Sequence, residues 1–172
     1  GGIYYNSNIG KFRCFEDGTW KDCIGARQVR SFVDTTADAA ADNNTTNYWD
    51  TAVENNNSIP NLSPSTTNKS ITGSVSFETQ SSNNNDRSIV ARVERSIGTP
   101  AACNSGTTVG TVLSTFTTNN GEQASNTMIF LDSPNTTSTV YYTLCADSAT
   151  SSAAGMTINR IRITLEEANN SN

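Results

Sequence analysis

From residue 65 onward the chain repeats one pattern: apolar residues at alternate positions in short runs, with Ser, Asn, Gly and Pro between the runs. Ile71, Val75 and Phe77 share one parity, and so do Ile89, Ala91 and Val93. A period of two puts each set on one face of an extended strand and leaves the other face in water. Further runs at 109–116, 127–131, 140–146 and 156–165 are separated by the turn stretches SSNNND, TTNNGE and DSPNTTS. Six strands at this spacing predict an all-β fold, an antiparallel β-sandwich of jelly-roll type.

The last run breaks its own rule. Met156 and Ile158 are even-numbered, whereas Ile161, Ile163 and Leu165 are odd. The inward phase therefore slips by one near Asn159-Arg160, which predicts a β-bulge there.

Residues 1–25 form a separate pattern. Ile3 to Tyr5 is β-prone, residues 6–10 supply a turn, residues 11–15 alternate, and Asp17-Gly18 is a hairpin signal before Trp20. A two-residue turn there sets Phe15 opposite Trp20 across the ladder. The expected element is a three-strand meander with little core of its own. Residues 26–64 read as a polar connecting segment with short strands, at Val29 to Val33 and around Tyr48, Trp49 and Val53. The run DTTADAAADNN has no apolar stripe and reads as loop rather than helix. The main part of the sandwich is expected over 65–168, and 169–172 as a frayed tail.

Composition sharpens this picture. Of the 172 residues only 34% are hydrophobic and 16% charged, while Ser, Thr and Asn make up about 40%. The surface is polar but mostly uncharged. The net charge is -5, and the only lysines are Lys11, Lys21 and Lys69, so no basic stripe is offered to nucleic acid. No run approaches the roughly 18 apolar residues of a membrane helix, so no membrane insertion is expected. No charged-then-apolar leader stands at the start, and the chain reads as a processed, soluble one.

Four cysteines allow three pairings, and the spacing favours Cys14 with Cys23 and Cys103 with Cys145. Bridges need an oxidising compartment, which points to an extracellular or cell-surface location. With no histidine and no CxxC pair, zinc is not expected. The same absence removes a Ser-His-Asp triad and any histidine base. The acids sit mainly in turns and polar stretches, and Asp34, Asp38 and Asp42 lack the spacing of a calcium loop. No catalytic residue, metal ligand set or cofactor is assigned, and the chain is not read as an enzyme. N-x-S/T tripeptides at Asn43, Asn44, Asn56, Asn61, Asn68, Asn135 and Asn169 are candidate glycosylation sites. Tyr48 and Trp49 are candidates for stacking on a sugar ring, with core packing as the alternative.

Two parts of the chain also resemble a known family. The opening GGIYYNSNIGKFRCFEDGTWKDCIG resembles the YYN…C…GxWxxC meander that precedes the last domain of bacterial surface proteins and phage tail-fibre-like proteins. ITGSVSF, VARVERS, STFTTNNGEQASNTMIFLDSPNTTSTVYYTL and MTINRIRITLEE are similar to the C-terminal jelly-roll domain of those proteins, FLDSPNTTS being the most specific phrase. Residues 26–47 lie outside the resemblance, and Cys103 and Cys145 depart from it. It implies an extracellular structural or adhesive β-domain working in an oligomer, and it carries over no catalytic residue.

The expected function is a structural subunit of an extracellular filament or surface appendage. Its partners would be copies of itself, joined by β-strand addition through Ile3, Tyr4 and Tyr5. Equally open is that these three residues complete the meander of their own subunit. The alternative function is a trimeric adhesin or tail-fibre tip that binds a receptor or surface glycans.

Overall fold

The computed structural model describes residues 2–8, 11–16, 18–22, 28–34, 49–50, 60–81, 87–116, 121–148 and 156–169. Every regular element among them is a strand. A meander of β1 (Ile3–Asn6), β2 (Lys11–Glu16) and β3 (Thr19–Asp22) comes first. Next are β4 (Val29–Asp34), β5 (Trp49–Asp50) and β6 (Asn61–Leu62). The six long strands follow: β7 (Lys69–Ser81), β8 (Arg87–Ile97), β9 (Thr107–Phe116), β10 (Gln123–Asp132), β11 (Val140–Ser148) and β12 (Met156–Asn169).

The sandwich has one sheet in the order β10-β7-β12-β4 and a second in the order β5-β11-β8-β9, with β6 also pairing β11. All pairs are antiparallel. β5 meets Cys145 and Ala146 while β6 meets Val140 and Tyr141, so the two share one edge position. With that position counted once, the chain passes from sheet to sheet at every step except β8 to β9, which is jelly-roll connectivity. The short strands of the connecting segment thus belong to the sandwich. Residue 169, read from the sequence as the start of a frayed tail, pairs with Lys69 and belongs to it too.

The alternating residues meet between the sheets. Val75 and Phe77 of β7, Ala91 and Val93 of β8, and Leu144 and Ala146 of β11 are buried. The phase slip in β12 is a bulge: Asn159 pairs Glu78 and Arg162 pairs Ser76, so Arg160 and Ile161 together face Phe77. Arg160 takes a left-handed φ of 50°, a conformation that costs a non-glycine residue energy. The compensation is visible. With the extra residue, Ile158 before the bulge and Ile161, Ile163 and Leu165 after it all face inward.

One close approach fixes the seam beside β10. Gly73 of β7 lies opposite Phe130 of β10, and the ring covers the glycine so closely that a Cβ there would lie 2.0 Å from Phe130 Cζ. The same ring tilts against Tyr142 of β11 at 5.1 Å between centroids. Gly73→Ala is therefore expected to cost about 3 kcal/mol, since a central backbone position has no flexible neighbour to yield except the ring itself. Thermal melting checks this, and Gly73→Ala combined with Phe130→Leu is expected to recover part of the loss.

Candidate functional site

In a chain without histidine, acid–base chemistry would fall to the carboxylates. Among the described residues three are buried within strands: Glu94, Asp132 and Glu167. Each takes part in a structural clamp. Glu94 accepts the backbone N–H of Asn104 and of Gly106, both at 3.1 Å, and pairs with Arg92. Asp132 is held by Arg95 at 2.7 Å and by the Tyr142 hydroxyl at 2.8 Å. Glu167 accepts the Ser65 N–H at 2.9 Å and its hydroxyl on one oxygen, while its other oxygen, Oε2, is buried with no hydrogen-bond partner. Loops 98–106 and 63–68 are thereby tied to the sheets. No three Cys, Asp or Glu side chains gather as a metal site among the described residues.

Two of these acids, expected from the sequence to lie with the turn acids, carry a signal of burial in their parity. Asp132 continues the inward parity of Met128 and Phe130, and Glu167 continues that of Ile161, Ile163 and Leu165. An acid in phase with a buried face is an acid with a partner.

The bridge between Cys103 and Cys145 spans 42 residues and ties loop 98–106 to the buried middle of β11. An open groove of about 420 Å³ lies beside that loop, between Arg95, Ser96 and Ile97 on one side and Thr99, Ser105 and Thr107 on the other. Its lining has no carboxylate and no aromatic ring.

The meander presents a different kind of surface. Ile3 pairs Cys14, Tyr5 pairs Phe12, and Phe15 pairs Trp20. Opposed residues share a face, so Ile3, Tyr5 and Phe12 lie on one side of this small sheet and Tyr4, Phe15 and Trp20 on the other. Rings touch on both: Tyr5 to Phe12 at 5.1 Å, Tyr4 to Trp20 at 4.6 Å edge-on, and Phe15 to Trp20 at 5.3 Å. The Arg13 guanidinium reaches across to the Trp20 carbonyl. All six hydrophobic side chains are nevertheless at least 40% exposed, with Ile3 at 71% and Phe12 at 56%.

The candidate residues fall as follows. Ile3, Tyr4 and Tyr5 pair with β2 of their own chain, and β1 forms an outer edge of the meander. Cys14 is disulfide-bonded, while Cys23 lies outside the described residues. Asn68 and Asn135 are exposed, and Asn61 is half-buried with its carbonyl oxygen accepting from Arg30 at 3.4 Å. Asn169 has its backbone in β12. Asn43, Asn44, Asn56 and Tyr48 lie outside the described residues, as do Asp38 and Asp42. The Trp49 backbone pairs with Ala146.

No protein-family model matches the chain, and no curated protein does. Among solved structures it is similar to a chain of the infectious bursal disease virus Gx strain structure, with TM-score 0.49 and 13% identity over 92% of this chain and 36% of that one. It is likewise similar to a chain of the T13 particle of that virus, with TM-score 0.49 and 10% identity over 89% and 34%. A third match is the VP2 subviral particle, with TM-score 0.47 and 12% identity over 92% and 38%.

The Arg95–Asp132–Tyr142 clamp generates a pH prediction. Burial, and then the adjacent Asp132 carboxylate, push the Tyr142 phenol well above the ordinary tyrosine range, with Arg95 opposing. The folded chain keeps this proton at a pH where an unfolded tyrosine releases it, near pH 10. Stability from this group is thus present below about pH 10 and falls as pH rises beyond it. Denaturant melts between pH 8 and 11 should show this decline, and Tyr142→Phe should flatten it while lowering stability at pH 8.

Proposed function

We propose that this chain is a structural subunit that assembles with copies of itself through its N-terminal meander. The observation that carries the reading is the pair of apolar faces on a sheet of three short strands. Strands of four and six residues cannot cover two faces, and a sheet this small is marginal unless something packs on it. The uncovered apolar area, from five rings and one isoleucine, is roughly 500 Å². A standard interface takes about 800 Å² from each partner. The meander alone therefore brings most of one side of a stable contact.

A sheet apolar on one side would suit docking onto a flat surface. One apolar on both sides suits insertion, where a neighbour covers both. Strand addition by β1, whose outer edge has no strand partner among the described residues, meets this requirement. Because the donor is the meander and the acceptor another part of the next copy, the contact is heterologous and propagates into a filament unless its rotation closes a ring. The Cys103–Cys145 bridge suits service outside the cell.

The test replaces Tyr5 and Phe12 with Ser and compares the variant with the native chain by sedimentation and negative-stain imaging. Both side chains are exposed, so the sandwich should melt unchanged while long assemblies disappear. Native assemblies that survive the replacement overturn the reading. A native particle of three copies with fixed mass favours the trimeric tip in its place.

A further inference from the structure

A donor strand needs an acceptor edge, and the sandwich has four edges to compare. β4 is short and carries Arg30 and Asp34. The β5/β6 edge is made of two-residue pieces. β9 is long and uncharged but bulged: Val93 pairs Gly110 and Glu94 pairs Thr108, leaving Val109 extra. Short strands, charges and bulges are the devices by which sheet edges avoid pairing with other chains.

β10 is long and unbulged, and it is uncharged up to its last residue. Its ten residues, QASNTMIFLD, contain no Lys, Arg or Pro, and a charge only at the last position. Its ladder with β7 runs through ten consecutive pairs without a register shift. Among the described residues no strand pairs with its other side. On its outer face Ile129 and Leu131 are 73% and 69% exposed, two residues apart and on the same side. They stay exposed with the chain's own meander present.

We infer that the outer edge of β10 is the acceptor for β1 of a second copy, so that β3-β2-β1 of one subunit extends the β10-β7-β12-β4 sheet of the next. This rests on the meander being the assembly element and adds where it lands. It accounts for both apolar faces at once. Beside β10, one face of the added sheet lies next to Ile129 and Leu131. The other lies on the inner side, where β9 already approaches β10: a Cβ on Gly110 would meet Met128 Sδ at 2.9 Å. The patches differ, so each copy has one donor and one acceptor.

The test uses the full chain in two variants. Ile129→Lys with Leu131→Lys puts edge-protecting charge on the acceptor, and Tyr5→Ser with Phe12→Ser disables the donor. Each alone should remain folded and monomeric, with the concentration needed for assembly raised on the order of 30-fold or more. Mixed together, they should form a 1:1 dimer and nothing larger, since one intact donor and one intact acceptor remain. If the lysine pair lowers the melting temperature, Thr127→Lys on the same exposed face gives the same reading. Assemblies that persist in both lysine variants but vanish with the donor variant overturn the β10 assignment and leave the meander reading standing. Assemblies that persist in the donor variant, or a native chain that stays monomeric at all concentrations, overturn both.

Discussion

A β-sheet has two faces and two edges, and a three-stranded one can satisfy few of them with its own atoms. In this chain that constraint is concentrated in the first 22 residues. Tyr4, Phe15 and Trp20 pack edge-on and tilted on one side, and Tyr5 against Phe12 on the other. These contacts order the rings without removing them from water. Cys14 is disulfide-bonded, but a covalent tie restrains the backbone and buries no apolar face. What remains is an ordered hydrophobic surface, and the proposed contact with a second copy supplies its cover.

The sandwich shows the opposite economy. Its polar groups are tied inward: Glu94 holds the turn at Asn104 to Gly106, Asp132 joins Arg95 to Tyr142, and Glu167 secures Ser65. Each clamp joins a loop or a long-range partner to a strand, and Cys103–Cys145 adds a bridge worth about 4 kcal/mol by loop-closure arithmetic. Glu94 and Asp132, whose oxygens are all taken up, specify loop and strand positions, whereas Glu167 anchors Ser65 through one oxygen and keeps Oε2 buried without a partner. Among the described edges of the sandwich, β10 is long, unbulged and uncharged up to Asp132, and it carries two exposed aliphatic side chains.

Much of this was legible in the sequence, because a strand with one buried face writes its period into the chain. The six long strands and the bulge at Arg160 follow from parity, and the pairing of Phe15 with Trp20 from the two-residue turn at Asp17-Gly18. Parity also marked Asp132 and Glu167 as inward-facing, although their polarity led them to be grouped with turn acids. What parity does not carry is order across a sheet. That β7 lies between β10 and β12, and that β10 therefore stands at an edge, depends on pairings between residues more than 40 apart. The bulge that protects β9 was hidden for a related reason, since Val109 and Gly110 become irregular only against Val93 and Glu94. Exposure of the meander was hidden as well: six hydrophobic residues in a meander read equally as a small core or as a docking surface.

The central claim is that backbone groups of β1 left open in the single chain are closed by a neighbour. Amide hydrogen exchange of residues 3–6, followed from dilute to concentrated protein, addresses those groups directly. Exchange should be fast in the monomer and slow markedly as assemblies form, together with the amides of 123–132 and no other edge of the sandwich. Exchange at 3–6 that stays the same from monomer to assembly would contradict the account.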